Sequence, residues 1–235
     1  CIAALREAHA LPPIEVETRN NFPTASGLAS SASGFAALVT AIDHEFGLGM
    51  DAATRSDYAR RASGSAARSI HGGFVRLSGP DWRARQVLAE QAWPLEVVVA
   101  ITTTSRKEVS SSVGMRRSMD SPFYQGWVSS TRVDYEAGIA VVIERDFERL
   151  AELAEHSCLK MHGLMLATRP GLIYWNSATI ACLHAIRELR ASGTPVFFTV
   201  DAGSQVKAIC APGRASEVAN TLRALPGVIE TLVTG

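Results

Sequence analysis

The stretch Asn20–Phe46, NNFPTASGLASSASGFAALVTAIDHEF, runs from a loop of small residues into a helix, and the rest of the chain is best read outward from it. From Leu28 the apolar side chains fall at Leu28, Ala32, Phe35, Val39, Ile42 and Phe46, so one helical face is apolar without a break. Gly47 and Gly49 end that helix, and Asp51 is placed to cap a shorter one through about Arg61 by accepting a first-turn amide. Upstream, Ile14, Val16 and Thr18 alternate with Glu15, Glu17 and Arg19, a period of two that predicts a half-buried strand. A turn at Asn20-Asn21-Phe22-Pro23 follows it.

Farther along, Gly72–Leu77 reads as a strand entered by a glycine turn and Leu95–Thr103 as a mostly buried one, with Asp81–Gln91 as a connection between them. Helical patterns then dominate over Ser111–Asp120, Ser129–Arg145, Phe147–Thr168 and Ser177–Arg190, with Pro170-Gly171 separating the last two. Pro195–Val200 predicts a strand, Gln205–Cys210 its antiparallel partner, Ala215–Leu225 a helix and Val228–Val233 a final strand. Strands, then helices, then strands with a helix predict α+β packing in two unequal lobes.

Composition sets the outer bounds. In 235 residues, 47% are apolar and 20% charged, and 23 Lys and Arg balance 23 Asp and Glu. Disorder as the main state is excluded, because it needs low hydrophobicity with a large charge imbalance. A neutral chain has no long-range pull on phosphate backbones or anionic lipid, so neither nucleic acid nor membrane is an expected partner. The longest apolar run, Val97–Thr103, is strand-sized, well short of the roughly 18 residues of a membrane span. Cys1, Cys158, Cys182 and Cys210 show no paired spacing, which disfavours a disulfide framework or a CxxC zinc site and fits a reducing cytoplasm. The chain opens on Cys1 with no signal-peptide pattern behind it, which suggests a start inside a longer gene product.

Three places could carry chemistry. In Asn20–Gly34, small side chains at Ser26, Gly27, Ser30, Ser31 and Ser33 would let an anion approach helix-start amides, which carry about half a positive charge. There is no lysine of the Walker type and no G-x-G-x-x-G, so a P-loop nucleotidase and a dinucleotide fingerprint are disfavoured; close helix packing would use the same small residues. In Ala62–Ser69, ASGSAARS, Arg68 stands among residues too small to shield it, and its planar fork suits a carboxylate or phosphate; a solvated arginine needs no such surroundings. Asp201 ends the apolar run Val196–Val200 and opens into Ala202-Gly203, where an acid can form a turn or, held by a buried strand, serve as a base or positioner. His156, Cys158 and His162 are poorly arranged for zinc, because His156 lies off the face the other two share, and packing is the expected role.

Taken together, NNFPTASGLASSASG, ASGSAARSIHGGF, VSSSVGM at Val109–Met115 and FFTVDAG at Phe197–Gly203 resemble the diphosphomevalonate decarboxylases of the GHMP kinase superfamily in order and spacing. The resemblance covers nearly the whole chain. It implies a GHMP kinase-like two-lobed α+β fold, with an N-terminal lobe of the ribosomal protein S5 domain 2 type and a ferredoxin-like C-terminal lobe. Residues 1–92 would be the remainder of the ATP-binding lobe and 93–235 the C-terminal lobe. About 80–90 residues of the family pattern, a small domain's worth, would precede Cys1.

The implied reaction is ATP-dependent decarboxylation of mevalonate 5-diphosphate to isopentenyl diphosphate, with ADP, phosphate and CO2 as coproducts. ATP would turn the 3-hydroxyl into a phosphate ester, and its loss would draw the C1 carboxylate electrons in as CO2 departs. The resemblance implies Asp201 as the catalytic aspartate, base or positioner beside the 3-hydroxyl, and Arg68 as the grip on the substrate carboxylate. Ser63 and Ser65 would line the substrate pocket, and Ser110 and Ser111 would stand near the diphosphate. Pro23, Ser26, Gly27, Leu28, Ser30 and Ser31 would surround ATP, with Mg2+ on its phosphates rather than in a protein cage. A homodimer is the implied assembly; the alternatives are a decarboxylase of the same fold acting on mevalonate 5-phosphate and a catalytically incomplete binding module. Ala67 for a frequent Cys, Ser112 for an occasional Arg or Thr, and Ser204-Gln205 for a common Pro-Asn are departures from the pattern.

Overall fold

The computed structural model describes residues 1–22 and 27–234. Its contacts gather into two units, Cys1–Thr24 with Ala29–Ala92, and Ala25–Leu28 with Trp93–Gly235.

The first unit contains helices α1 (Ile2–His9), α2 (Ser30–Glu45) and α3 (Ala52–Ala62), a 3-10 helix at Gly64–Ile70, and a hairpin of β1 (Phe74–Ser78) and β2 (Arg83–Leu88). As its spacing requires, α2 buries Ala32, Val39 and Ile42 while Phe35 and Phe46 are half-buried. Val39 and Ile42 join Leu5, Met50, Ala59 and Ala66 in one core. The helix stops where Gly47 enters the left-handed region at φ 57°, a conformation that glycine adopts without a Cβ clash. Buried Asp43 accepts the Met50 N–H at 3.0 Å, and Asp51 caps α3 by accepting the Thr54 N–H at 2.7 Å.

Two expectations fail here. Residues 14–18 form no strand: alternation supplies only the faces, and none of the described strands pairs with them. Instead Ile14–Glu17 borders a cleft of about 370 Å3 with Leu38, Ala41, Ile42 and Phe46 of α2. Asp81–Gln91 is not a plain connection, because it holds β2, which pairs antiparallel with β1 across the Gly79-Pro80 turn.

In the second unit, β3 (Glu96–Ile101) is followed by α4 (Ser111–Ser118), α5 (Tyr124–Glu144), α6 (Phe147–Leu166) and α7 (Ser177–Ala191). Then come β4 (Val196–Val200), β5 (Val206–Cys210), α8 (Ala215–Arg223) and β6 (Glu230–Thr234). The sheet order is β4-β5-β3-β6, all antiparallel, which is the ferredoxin-like βαββαβ arrangement with an enlarged first crossover. Val98, Ala100, Val196, Phe198, Val200, Val206 and Ala208 meet Cys182, Ile186, Val218 and Leu222 of α7 and α8 in its core. Between α6 and α7, buried Glu155 accepts a two-pronged bond from Arg190 at 2.8 and 3.0 Å. No helix among the described residues is long and apolar enough to cross a membrane. The four cysteines are free thiols, and burial pushes Cys182 and Cys210 up to about 11.

Candidate active site

Strand parity puts Asp201 where it can act. Val196, Phe198 and Val200 of β4 and Val206, Ala208 and Cys210 of β5 all point into the core, so the intervening Thr199, Asp201 and Lys207 take the other face. There Lys207 Nζ donates to Asp201 Oδ2 at 2.5 Å. The lysine side chain is only 16% exposed, whereas the Asp201 side chain is 51% exposed and open to a ligand.

The turn after Asp201 is held by buried polar groups. Gln205 is fully buried; its Oε1 accepts the Thr102 N–H at 2.7 Å and its Nε2 donates to Thr103 O at 2.7 Å. Ser204 O accepts from Thr102 Oγ1 at 3.0 Å and from Thr179 Oγ1 at 2.7 Å. Asn176 caps α7 and also donates to Thr102 Oγ1 at 3.2 Å. The Ser204-Gln205 departure therefore gives this turn its own anchor, since Gln205 satisfies backbone groups on the neighbouring strand end. Below, Ala202 packs on Met165 and Leu172.

Behind the strand end, Cys158 Sγ accepts the Val200 N–H at 3.2 Å and His162 Nε2 lies 3.1 Å from Val200 O. Burial pushes the His162 imidazole below its usual range. Cys158 and His162 thus brace the strand that delivers Asp201, while His156 is exposed on the same helix.

Lys107, in the loop after β3, donates to Ala202 O at 2.7 Å and to Ser111 Oγ at 2.6 Å, and sits 5.8 Å from the centroid of the Tyr174 ring. Burial lowers its ammonium's proton affinity; Asp201 works against that shift and Lys207 adds to it. Ser110 caps α4, accepting the Val113 N–H at 3.3 Å. Tyr174 fixes this helix start by donating to Val109 O at 3.1 Å, an approach allowed only because Gly114 has no side chain: a Cβ there would lie 2.5 Å from the Tyr174 hydroxyl.

Gly27 also belongs to this unit. Its φ of +97° is a glycine conformation, and a Cβ on it would stand 2.7 Å from the Gly203 Cα, so the two glycines touch backbone to backbone. Gly27 O accepts from Lys207 Nζ at 3.1 Å. Leu28 is half-buried. Pro23 and Ser26 lie outside the described residues.

Within the first unit, the hydroxyls of Ser31, Ser63 and Ser65 form a row, 3.3 Å from Ser31 to Ser63 and 3.1 Å from Ser63 to Ser65. Ser30 is the first residue of α2, preceded by Ala29 at φ 51°, a left-handed conformation that strains a residue with a Cβ. Arg68 is exposed on its 3-10 helix above fully buried Ala66 and Ala67, and Ser56 Oγ holds that helix by donating to Ala67 O at 2.9 Å.

Asp201, Gly27 and Ser111 are thus joined through Lys207 and Lys107 in one unit, and Ser31, Ser63 and Ser65 are joined in the other. Lys107 and Lys207 were not singled out from sequence, and Gln205 was noted only as a departure from the family pattern. Lys207 had one available signal, a lone charge on an otherwise apolar strand with the same parity as Asp201. The Lys107 ammonium, the Asp201 carboxylate and the hydroxyls at the start of α4 suit a phosphorylated ligand bearing an alcohol: the cation can meet phosphate oxygens and the carboxylate the hydroxyl.

Both units of the chain have relatives among known proteins. Residues 1–84 match the diphosphomevalonate decarboxylase-like N-terminal domain, and residues 97–231 match the mevalonate 5-diphosphate decarboxylase C-terminal domain. The diphosphomevalonate decarboxylase of Homo sapiens is 38% identical over 201 residues, 81% of this chain and 50% of that protein. The relative from Aspergillus fumigatus is 32% identical over 92% of this chain and 56% of its own length. The chain therefore spans about half the length of the curated relatives it matches. Among solved structures, mevalonate pyrophosphate decarboxylase from Streptococcus pyogenes superposes with a TM-score of 0.87 at 29% identity, covering 99% of this chain and 73% of that one. MDDEF in complex with MVAPP, AMPPCP and magnesium gives 0.79 at 34% identity over 90% of this chain and 67% of that one.

Proposed function

The chain belongs to the mevalonate 5-diphosphate decarboxylase family, and from that premise we propose that the protein carrying it converts mevalonate 5-diphosphate to isopentenyl diphosphate, using ATP and releasing ADP, phosphate and CO2. The observation that carries this reading is the Asp201 carboxylate, fixed by Lys207 beside a second lysine and presented at the end of a buried strand.

In this assignment Asp201 accepts a hydrogen bond from the substrate's 3-hydroxyl and orients it toward the γ-phosphate, taking the proton as the phosphate bond forms. Lys107 offers an ammonium to the phosphate oxygens as charge builds on them. Arg68 holds the C1 carboxylate by a two-pronged bond, so that as the C3–O bond to phosphate breaks the C1–C2 bonding electrons form the C2=C3 double bond and C1 leaves as CO2. Ser63 and Ser65 contact the substrate and Ser110 and Ser111 its diphosphate. Pro23, Ser26, Gly27, Leu28, Ser30 and Ser31 surround the nucleotide.

Magnesium fits this donor set as an ion carried on phosphates. Among the described residues no three His, Cys, Asp or Glu side chains gather as a cation site, and the Asp201 carboxylate is already paired with Lys207. We assign residues 1–92 to the nucleotide lobe and 93–235 to the C-terminal lobe. A cytoplasmic setting and a homodimer are what we expect of the whole protein, the first because its four cysteines show no paired spacing.

One preparation of the full-length protein, supplied with MgATP and either mevalonate 5-diphosphate or mevalonate 5-phosphate, tests the substrate by ADP formation. Turnover on the diphosphate at least tenfold above the monophosphate is expected. The reverse preference would move the protein to the alternative decarboxylase.

A further inference from the structure

Lys207 reaches further than its ion pair. It is a charged residue in the middle of β5, flanked across the ladder by Val99 of β3 and Thr199 of β4, and its side chain is 16% exposed. The single ammonium donates both to Asp201 Oδ2 at 2.5 Å and to Gly27 O at 3.1 Å. Gly27 lies against Gly203, whose own N–H donates to Asp201 O at 2.7 Å. Three backbone segments therefore close on one Nζ atom: the small-residue loop at Gly27, the turn at Asp201–Gly203 and strand β5.

We propose that Lys207 is a positioning residue that fixes the proposed catalytic aspartate and the proposed nucleotide loop at once, so that the Asp201 carboxylate and the Gly27 backbone keep one geometry. This rests on the function proposed above. Lysine suits the task because an ammonium is a compact point donor that can divide its three N–H groups between a carboxylate and a carbonyl. The chemistry depends on that geometry, since a displacement of about 1 Å can cost about a hundredfold in rate. Lys107 also acts electrostatically with Asp201 and Lys207, but it donates to Ala202 O and Ser111 Oγ rather than to the carboxylate, so it does not make the tether that Lys207 makes.

The test uses the full-length protein with Lys207→Met and Lys207→Arg. Lys207→Met is expected to lower kcat about 30–100-fold and to raise the ATP KM several-fold. Lys207→Arg, which keeps a donor for the carboxylate, is expected to recover most of kcat. In an Asp201→Asn background, Lys207→Met should lower kcat less than threefold further, because it acts through Asp201. Amide hydrogen exchange on the same variants reads the tether without turnover. Peptides covering Gly27 and Ala202–Gly203 should both exchange faster in Lys207→Met, while β6 should not change. Faster exchange with an inactive wild type would leave the tether standing and sink the functional reading. Unchanged exchange at Gly27, full kcat in Lys207→Met, or multiplicative losses in the double variant would overturn the proposal.

Discussion

Asp201 heads a turn in which Ala202, Gly203, Ser204 and Gln205 are all buried, whereas Arg68 stands exposed on a 3-10 helix in which only Ala66 and Ala67 are buried. The first is held by polar groups: Gln205, Thr102, Thr179 and Asn176 exchange bonds beneath it, and Lys207 fixes the carboxylate from the side. The second is held mainly by two alanines packed underneath and one hydroxyl from Ser56, with its own serines bonded chiefly to one another. Changes around Asp201 should therefore affect both folding and turnover. Changes at the head groups of the Ser63–Arg68 run should affect turnover alone, because little of the fold depends on them.

Asp201→Asn should show the largest effect. We expect kcat to fall about a thousandfold while the ATP dissociation constant changes less than threefold, as for a group that acts mainly in the transition state. Equal losses in both, measured by steady-state kinetics and nucleotide titration, would make Asp201 a binding or structural residue. Arg68→Lys comes next, with kcat/KM down about a hundredfold and an unchanged thermal midpoint, since a point charge cannot reproduce a two-pronged bond. A lowered midpoint would erase the contrast between the two regions.

Stability should separate them in the opposite sense. Gln205→Ala strips partners from Thr102 N–H and Thr103 O and should cost about 2 kcal/mol in urea unfolding, whereas Ser63→Ala should stay within about 0.5 kcal/mol. Smaller still is the pH response of the brace behind Asp201. Burial holds the His162 folded-state value below the ordinary 6.5, so between those two values the unfolded chain binds a proton that the folded one refuses. Its stabilisation is complete above about 6.5 and is lost as pH falls toward the lowered value. His162→Gln should flatten that acid-side slope in urea midpoints measured from pH 7 to pH 5; an unchanged slope would assign it to another group.

Much of this could be read from the sequence, for identifiable reasons. The apolar spacing from Leu28 to Phe46 predicts α2, because a helical period tests itself over several turns. The run Val196–Val200 and its partner after Asp201 predict the hairpin, and strand parity alone puts Asp201 on the face away from the core. Where the sequence misled, a partner was at issue. Ile14–Thr18 alternates as a strand does, but alternation cannot supply a neighbour to bond with. Arg83–Leu88 is a strand whose Arg83, Arg85 and Gln86 hide the pattern, and it exists because β1 lies beside it. Lys107 carries no spacing signal and Lys207 only its parity with Asp201, since their meaning lies in atoms of Ala202, Asp201 and Gly27 that only the folded chain brings to them. The Gln205 substitution reads as a loss of the family pattern until its two bonds to the Thr102–Thr103 backbone are seen.

The central claim is that the protein couples ATP cleavage to loss of C1 as CO2. It is tested most directly by supplying the full-length protein with MgATP and mevalonate 5-diphosphate labelled at C1, then counting released CO2 against ADP. A ratio of about one throughout the time course is the expected result; ADP accumulating while the label stays in solution would show a kinase and contradict the account.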